Sequence, residues 1–480
     1  MKKIAIILLV IAFIATMAVT GTGCKEPEVI VETVTETVTE TVEVEKEAEG
    51  STEYGLESGE IAVIRFVTAE NNPASVEVFN NVIKEFEAMH PSVKVQLEVM
   101  GIDQLVPYYA ANIAAGNAPD LGQTWDSIAI EYATKDATLP INDVLEKMGG
   151  EDIIGSTSLK QLDGQNYYIP WSWGGDVLWC RTDLFEEYGV EIPETFDEWL
   201  AAAEELTLDT NDDGVTDIYG TIVPAGKNLF TEFVLQIFVW QQGETIVDLD
   251  NNVHFDSPQV IESIRKIGQL AEFSPPGIGE YSFYECLDAY ATGKIAIGMY
   301  AGRMLAHLNA NNPDLLPVSK AIPIPTNDVK ATTLGNKNLV IFKDSKYPEI
   351  TKDFALYLLS GDNYVNYLLT VPGLLIPVTK EAYESDLFWE NEFVKDNLDN
   401  IEVCFGIPEY GLSSLIEPGA TVVDGKIKAD PNGINLMYQY YEAQRIMAQA
   451  VQKHVIEGMS PEDAAKWGQA EIDRLVEAAQ

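Results

Sequence analysis

The run from Ile61 to Val99 limits the folds open to this chain more than any other stretch. Ile61 to Ala69, IAVIRFVTA, is apolar and β-branched enough for a buried strand. Val78, Phe79, Val82, Ile83, Phe86 and Met89 then recur at helical spacing. Pro73 stands where a first helical turn accepts proline, Pro91 ends the helix, and VKVQLEV from Val93 reads as the next strand. Two strands joined by one helix pair in parallel, with the helix as the crossover, so the chain is predicted to be α/β. In open α/β sheets ligands collect beyond the carboxyl ends of the strands. Glu70 and Asn71 occupy that place and are candidate ligand contacts; loop polarity and helix capping are the plainer reading.

Size and charge narrow the class. A chain of 480 residues is too long for one ordinary core, so two lobes are expected. A net charge of −46 makes nucleic acid and anionic membrane surfaces poor partners and speaks against a strongly anionic small ligand. The histidines, His90, His254, His307 and His454, fall in no metal or triad arrangement. There is no Walker loop, no dinucleotide-binding glycine pattern and no G-x-S-x-G. The 76 acidic residues leave the paired carboxylates of a glycoside hydrolase or lyase open as an alternative.

The N-terminus has its own logic. Lys2 and Lys3, the apolar run Ile4 to Val19 and the small residues before Cys24 read as an export signal. The end, TGTGC, is similar to a bacterial lipoprotein cleavage site with Cys24 as the lipidated residue, although Gly21 stands where leucine is usual. An uncleaved anchor helix is the rival reading. Lys25 to Glu60, with VETVTETVTETVEVE at its heart, is predicted to be a disordered acidic spacer. About 36 residues reach at most ~120 Å, enough for a stalk. Cys180, Cys286 and Cys404 match neither a zinc site nor a disulfide framework; three buried thiols and one bridge are both compatible with the sequence.

The stretch from Asp163 to Tyr188, DGQNYYIPWSWGGDVLWCRTDLFEEY, is the centre of the functional reading. A polar turn leads to an extended run, then Trp171 and Trp173 beside Gly174 and Gly175, then a second extended run and a short helix. Alternation puts both indoles on one strand face. There they form either a platform for the C–H face of a sugar or the core of a lobe junction.

This stretch and several others resemble the family 1 extracellular solute-binding proteins, the maltose-binding-protein-like receptors of carbohydrate ABC transporters. The matching residues are Asp163-Gly164-Gln165, Tyr168, Pro170, Asp183-Leu184-Phe185, Gly189, Pro193, Thr195 and Glu198. Gly116, Ala118, Pro119 and Asp120 follow the family's a-x-G-x-aPD, and Gly293 to Gly302 follow its GkaAM segment. Val371-Pro372-Gly373 to Pro377, and the last helix opening SPEDAA, also match. The resemblance covers nearly all of Ile61 to Gln480. It implies a two-lobed type II periplasmic-binding-protein-like fold whose discontinuous lobes share a ligand cleft. The implied lobes are 61–165 with 287–342, and 168–285 with 343–480.

What the resemblance implies about function is capture without chemistry. A neutral sugar or oligosaccharide enters between the lobes, and the monomeric, loaded receptor docks on the membrane permease. A sugar sensor without a transport role is a further alternative. The implied contacts are stacking on Trp171, Trp173, Trp125 or Trp240, and hydrogen bonds to Glu70, Asp126, Asp176 and Asn336. Asn71, Tyr300 and Arg303 complete the candidate set. Asp126 equally suits a helix N-cap, and Trp240 equally suits the end of a core helix. Arg303 stands where the family has tryptophan, a planar cation in place of a stacking ring. In DTNDDGVTDIYG, Asp209, Asn211, Asp213 and Asp217 match a calcium loop, but Gly220 fills the place of its bidentate glutamate. A structural calcium and a solvated turn are both compatible with this loop, and no other cofactor is expected.

Overall fold

The computed structural model describes residues 53–155, 159–413, 419–428, 430, 433–434, 437 and 444–479. The export segment, Cys24 and the spacer as far as Thr52 lie outside the described residues. The last residues assigned to the spacer are part of the folded body. Glu53–Gly55 form a 3₁₀ turn, Leu56 is buried, the Tyr54 ring lies 5.7 Å from that of His90, and Glu60 accepts a hydrogen bond from Tyr347 (3.0 Å).

The opening unit forms as the sequence pattern requires. Strand β1 (Ala62–Thr68) pairs in parallel with β2 (Val93–Val99), Ala62 opposite Val93, and the helix Pro73–Met89 crosses between them. Asn72 caps that helix by accepting from Ala74 N–H (3.0 Å), and Phe79, Val82 and Phe86 form its buried stripe. The helix Ile102–Ala114 ends at Gly116, whose φ of +63° is a left-handed conformation that glycine adopts without strain. Strand β3 (Leu121–Thr124) follows, then β4 (Ile169–Gly174).

After β4 the chain changes sheets. Strand β5 (Asp176–Arg181), β6 (Tyr219–Ile222), β7 (Ile295–Ala301) and β8 (Ser319–Ile322) make a second sheet in the order β6-β7-β5-β8. Strand β9 (Gly335–Ile341) returns to the first, whose order is β2-β1-β3-β9-β4. β9 runs antiparallel to both β3 and β4, with Lys337 opposite Ser172 and a register shift between Lys337 and Asn338. Sheet membership moves the expected lobe boundaries. β7 and β8, expected in the first lobe, belong to the second sheet, while β4 belongs to the first. The helices Pro348–Leu358 and Gly361–Leu368 pack on the first sheet's helix Pro73–Met89, and Ile446–Val455 and Pro461–Ala479 pack on the second side's helix Pro258–Ala271.

The two sheets have separate aromatic cores. Phe66, Phe79, Trp171, Phe354 and Tyr367 fill the first, and Phe196, Trp199 and Phe238 lie together on the second side. The chain crosses between the sheets at Gly175 and again before β9. These crossings touch: a Cβ on Gly175 would lie 2.0 Å from the carbonyl oxygen of Thr333. Multiple crossings at a narrow waist form a hinge between lobes.

Candidate functional site

The carboxyl end of β1 and the start of β9 bring a polar cluster together. Glu70 is buried and forms a 2.7 Å ion pair with Lys337, whose side chain is 23% exposed. Gln123 donates to Glu70 (3.2 Å), and its amide oxygen accepts from the Thr68 hydroxyl (2.6 Å) and Ala69 N–H (2.8 Å). Burial pushes the Glu70 carboxyl up, yet the charge and contact of Lys337 more than offset this and hold it below its ordinary value. Burial lowers the Lys337 ammonium pKa, with Glu70 opposing.

Asp126 forms the second node. It is buried and accepts from the Asn336 amide (3.2 Å) and from the Ser413 hydroxyl. Burial raises its pKa, opposed by Ser413, Asn336 and the charge of Lys160. Asp126 is the first residue of the helix Asp126–Thr134, and the N-cap is Trp125, so the capping role expected for Asp126 is not the one it has. Trp125 is half-buried at the strand end, and Asn71 is exposed beside Glu70. Asn336 is the second residue of β9.

The second sheet brings Tyr300 and Arg303 to the same end of the structure. Tyr300 is the last residue but one of β7, 5% exposed, with its ring edge-on to Phe230 at 5.7 Å. Arg303 opens the helix Arg303–Asn311. Its positive charge acts on Glu70, Lys337, Tyr300 and Tyr367, so it stands among groups from both sheets.

Several expectations need correction. Trp171 is not an open platform: it is fully buried, stacked on Tyr367 at 4.7 Å and 18°, with Phe66 and Phe79 at 6.0 and 5.6 Å. Trp173 is 1% exposed and donates its indole N–H to the Ile154 carbonyl (2.5 Å). Trp240 is 2% exposed at the end of the helix Leu229–Trp240, the core-helix alternative. Aromatic side chains beside a β-sheet lower their free energy by burial; helices cover Trp171, and the Ile154–Gly155 segment covers Trp173.

Asp176 is also engaged within the protein. Its carboxylate accepts from the Thr333 hydroxyl (2.6 Å), its N–H donates to the same oxygen (3.1 Å), and its carbonyl accepts from Thr332 (2.7 Å). It ties the two crossings together. Burial pushes its pKa up to about 6, with Thr333 opposing.

The calcium reading is also not supported. Asp209 accepts from the N–H groups of Asp213 (3.2 Å) and Gly214 (2.7 Å), and Asp217 accepts from Thr210 N–H (2.9 Å), as in a self-satisfied turn. Among the described residues no three His, Cys, Asp or Glu side chains are grouped to hold a metal. Cys180, Cys286 and Cys404 are free and buried, and burial raises the pKa of each thiol.

Lys337, Ser413, Gln123 and Thr333 were missed in the sequence. Gln123 was legible in principle, since it lies on the same strand end as Trp125. Lys337 was not, because the register shift that aims it is invisible in a one-dimensional pattern.

Two α/β sheets linked by a touching pair of crossings, with polar groups from both at the waist, define a two-lobed binding protein of the type II periplasmic class. The chain belongs to the family described as bacterial extracellular solute-binding protein, which matches residues 71–364. It is similar to an arabinooligosaccharide-binding protein of Halalkalibacterium halodurans, 24% identical over 346 residues, covering 68% of this chain and 74% of that one. A Thermotoga lettingae ABC transporter solute-binding protein bound with α-D-tagatose superposes with a TM-score of 0.67 at 20% identity, covering 87% of this chain and all (100%) of that one. Maltose-bound MalE3 of T. maritima gives 0.67 at 19% identity, covering 86% and 100%.

Proposed function

We propose that this protein is an extracytoplasmic receptor that captures a sugar or oligosaccharide between its lobes and delivers it, chemically unchanged, to an ABC transporter permease. The observation that carries the reading is the polar cluster of Glu70, Lys337, Gln123, Asp126 and Asn336 at the strand ends of one sheet, faced by Tyr300 and Arg303 from the other. Convergent hydrogen-bonding groups at a hinge suit a hydroxyl-rich guest. The relative that binds arabinooligosaccharide and the solved structures holding tagatose and maltose support the same class.

Closure follows from differential affinity. A guest that contacts both walls binds the shut form better than the open one, and so shifts the population. Cys24 is the residue to which a lipid is attached, and 25–52 is the tether that lets a monomeric body sample the permease. A thermal-shift screen of the full chain against a glycan panel tests the receptor reading. The expected result is a raised melting temperature with a subset of glycans, all recovered intact. No shift with any glycan overturns the reading, and glycan cleavage supports the hydrolase or lyase alternative.

A further inference from the structure

The chain on either side of Ser413 belongs with the second sheet. Upstream, the helix Leu398–Phe405 packs on β8. There the Asn400 amide donates to the Ser319 carbonyl (3.0 Å), and its oxygen accepts from Ala321 N–H (2.8 Å). Downstream, Gly419 N–H donates to the Val247 carbonyl and the Thr245 hydroxyl, 3.0 Å each. Between these anchors Gly411–Leu412 runs parallel to Thr332–Thr333 at the crossing, and Ser413 follows at once.

Ser413 reaches the other sheet. It is 3% exposed, and its hydroxyl donates to Asp126, which opens the helix after β3. The rest of that carboxylate is filled from its own side, by the Asn336 amide and by Ser127 N–H, 3.2 Å each. A second contact crosses the same gap. Lys160 belongs to the first side: its N–H donates to the Tyr168 hydroxyl (2.7 Å), and its carbonyl accepts from the Asn166 amide (3.2 Å), just ahead of β4. Its ammonium donates to the backbone carbonyl of Asp430 (2.6 Å), two residues beyond the hairpin of Thr421–Val423 with Lys426–Lys428. The same ammonium acts on the Asp126 charge.

Both bonds are charge-assisted, one at an anion and one at a cation. Each joins a group of one lobe to a group of the other, and neither requires a guest. Opening the lobes breaks the two together. Water regained by the two buried charges offsets part of that cost, so the pair biases closure instead of locking it.

We infer that Asp126–Ser413 and Lys160–Asp430 form an interlobe latch, with Ser413 and Lys160 as positioning residues that populate the shut form through the protein's own contacts. The inference rests on the two-lobed receptor reading and adds a control of closure to it. Such a latch acts on the closing equilibrium and multiplies the affinity of every guest by one common factor, whereas a direct sugar contact discriminates among sugars.

Small-angle X-ray scattering and calorimetric titration of the full chain test it together, on the parent, Ser413→Ala and Lys160→Met. Without sugar, each variant is expected to have a larger radius of gyration than the parent, and saturating glycan returns it to the parent's value. In titrations against a glycan panel, Ser413→Ala is expected to weaken every glycan that binds by the same factor, about tenfold. Lys160→Met removes the other bond and gives the same pattern. A radius of gyration unchanged in both variants overturns the inference. So does a loss that differs from glycan to glycan, which makes Ser413 a sugar contact. Binding of no glycan overturns the sugar-receptor reading alone, since the scattering comparison still decides the latch.

Discussion

The two walls of the site are built differently. On the first sheet the two carboxylates are held: Glu70 by Lys337 and Gln123, Asp126 by Asn336 and Ser413. On the second, Arg303 is held by no hydrogen bond among the described residues, and Tyr300 is fixed by packing on Phe230. A networked wall loses little freedom when ligand arrives and so sets geometry. The second wall has no such network among the described residues, and packing rather than hydrogen bonding sets its shape. The difference teaches that one half of the proposed site is preorganised by hydrogen bonds and the other by packing.

Substitutions can break this comparison. The largest loss is expected for Trp171→Ala, which opens a cavity beneath Tyr367 and should cost about 3–5 kcal/mol in denaturant unfolding. A weakened sugar affinity without loss of stability would return Trp171 to the ligand. Next, Glu70→Ala leaves the Lys337 ammonium buried without its counter-charge, and should cost about 3 kcal/mol by the same measurement. Glu70→Leu with Lys337→Met should restore much of that loss while abolishing binding.

A pH series sharpens the hinge. Asp176 has its folded pKa raised to about 6, so the folded state holds the proton more tightly than the unfolded chain does. Its contribution is fully present below about pH 4, the unfolded value, and is lost as pH rises through about 6. Asp176→Asn should flatten the stability profile across that window by about 2–3 kcal/mol at most. The smallest effect is expected for Arg303→Gln in the ligand-free protein, within about 0.5 kcal/mol of the parent, because its side chain makes no hydrogen bond or ion pair among the described residues. A larger loss would place Arg303 with the networked wall.

The fold was more legible than the site. The β1–helix–β2 unit, the capping box of Thr195 and Glu198 (3.0 and 3.2 Å) and the glycine stop at Gly116 are local, so local chemistry announced them. Glu70, Asp126 and Asn336 were reachable because strand ends are where such sheets place ligands. The tryptophans misled because their spacing fixes a shared face but not what covers it. The covering ring is Tyr367, about two hundred residues away in the chain. Lobe membership failed for a related reason: which sheet a strand joins is decided by pairings that span more than a hundred residues, as between Trp179 and Gly298.

The contact between Gly175 and the Thr333 carbonyl has a mechanical corollary. A single methyl there would work as a doorstop, forcing the two connecting strands apart at the pivot itself. Gly175→Ala would hold the jaws ajar, trading retention of the cargo for quicker release, without altering one atom that the cargo touches.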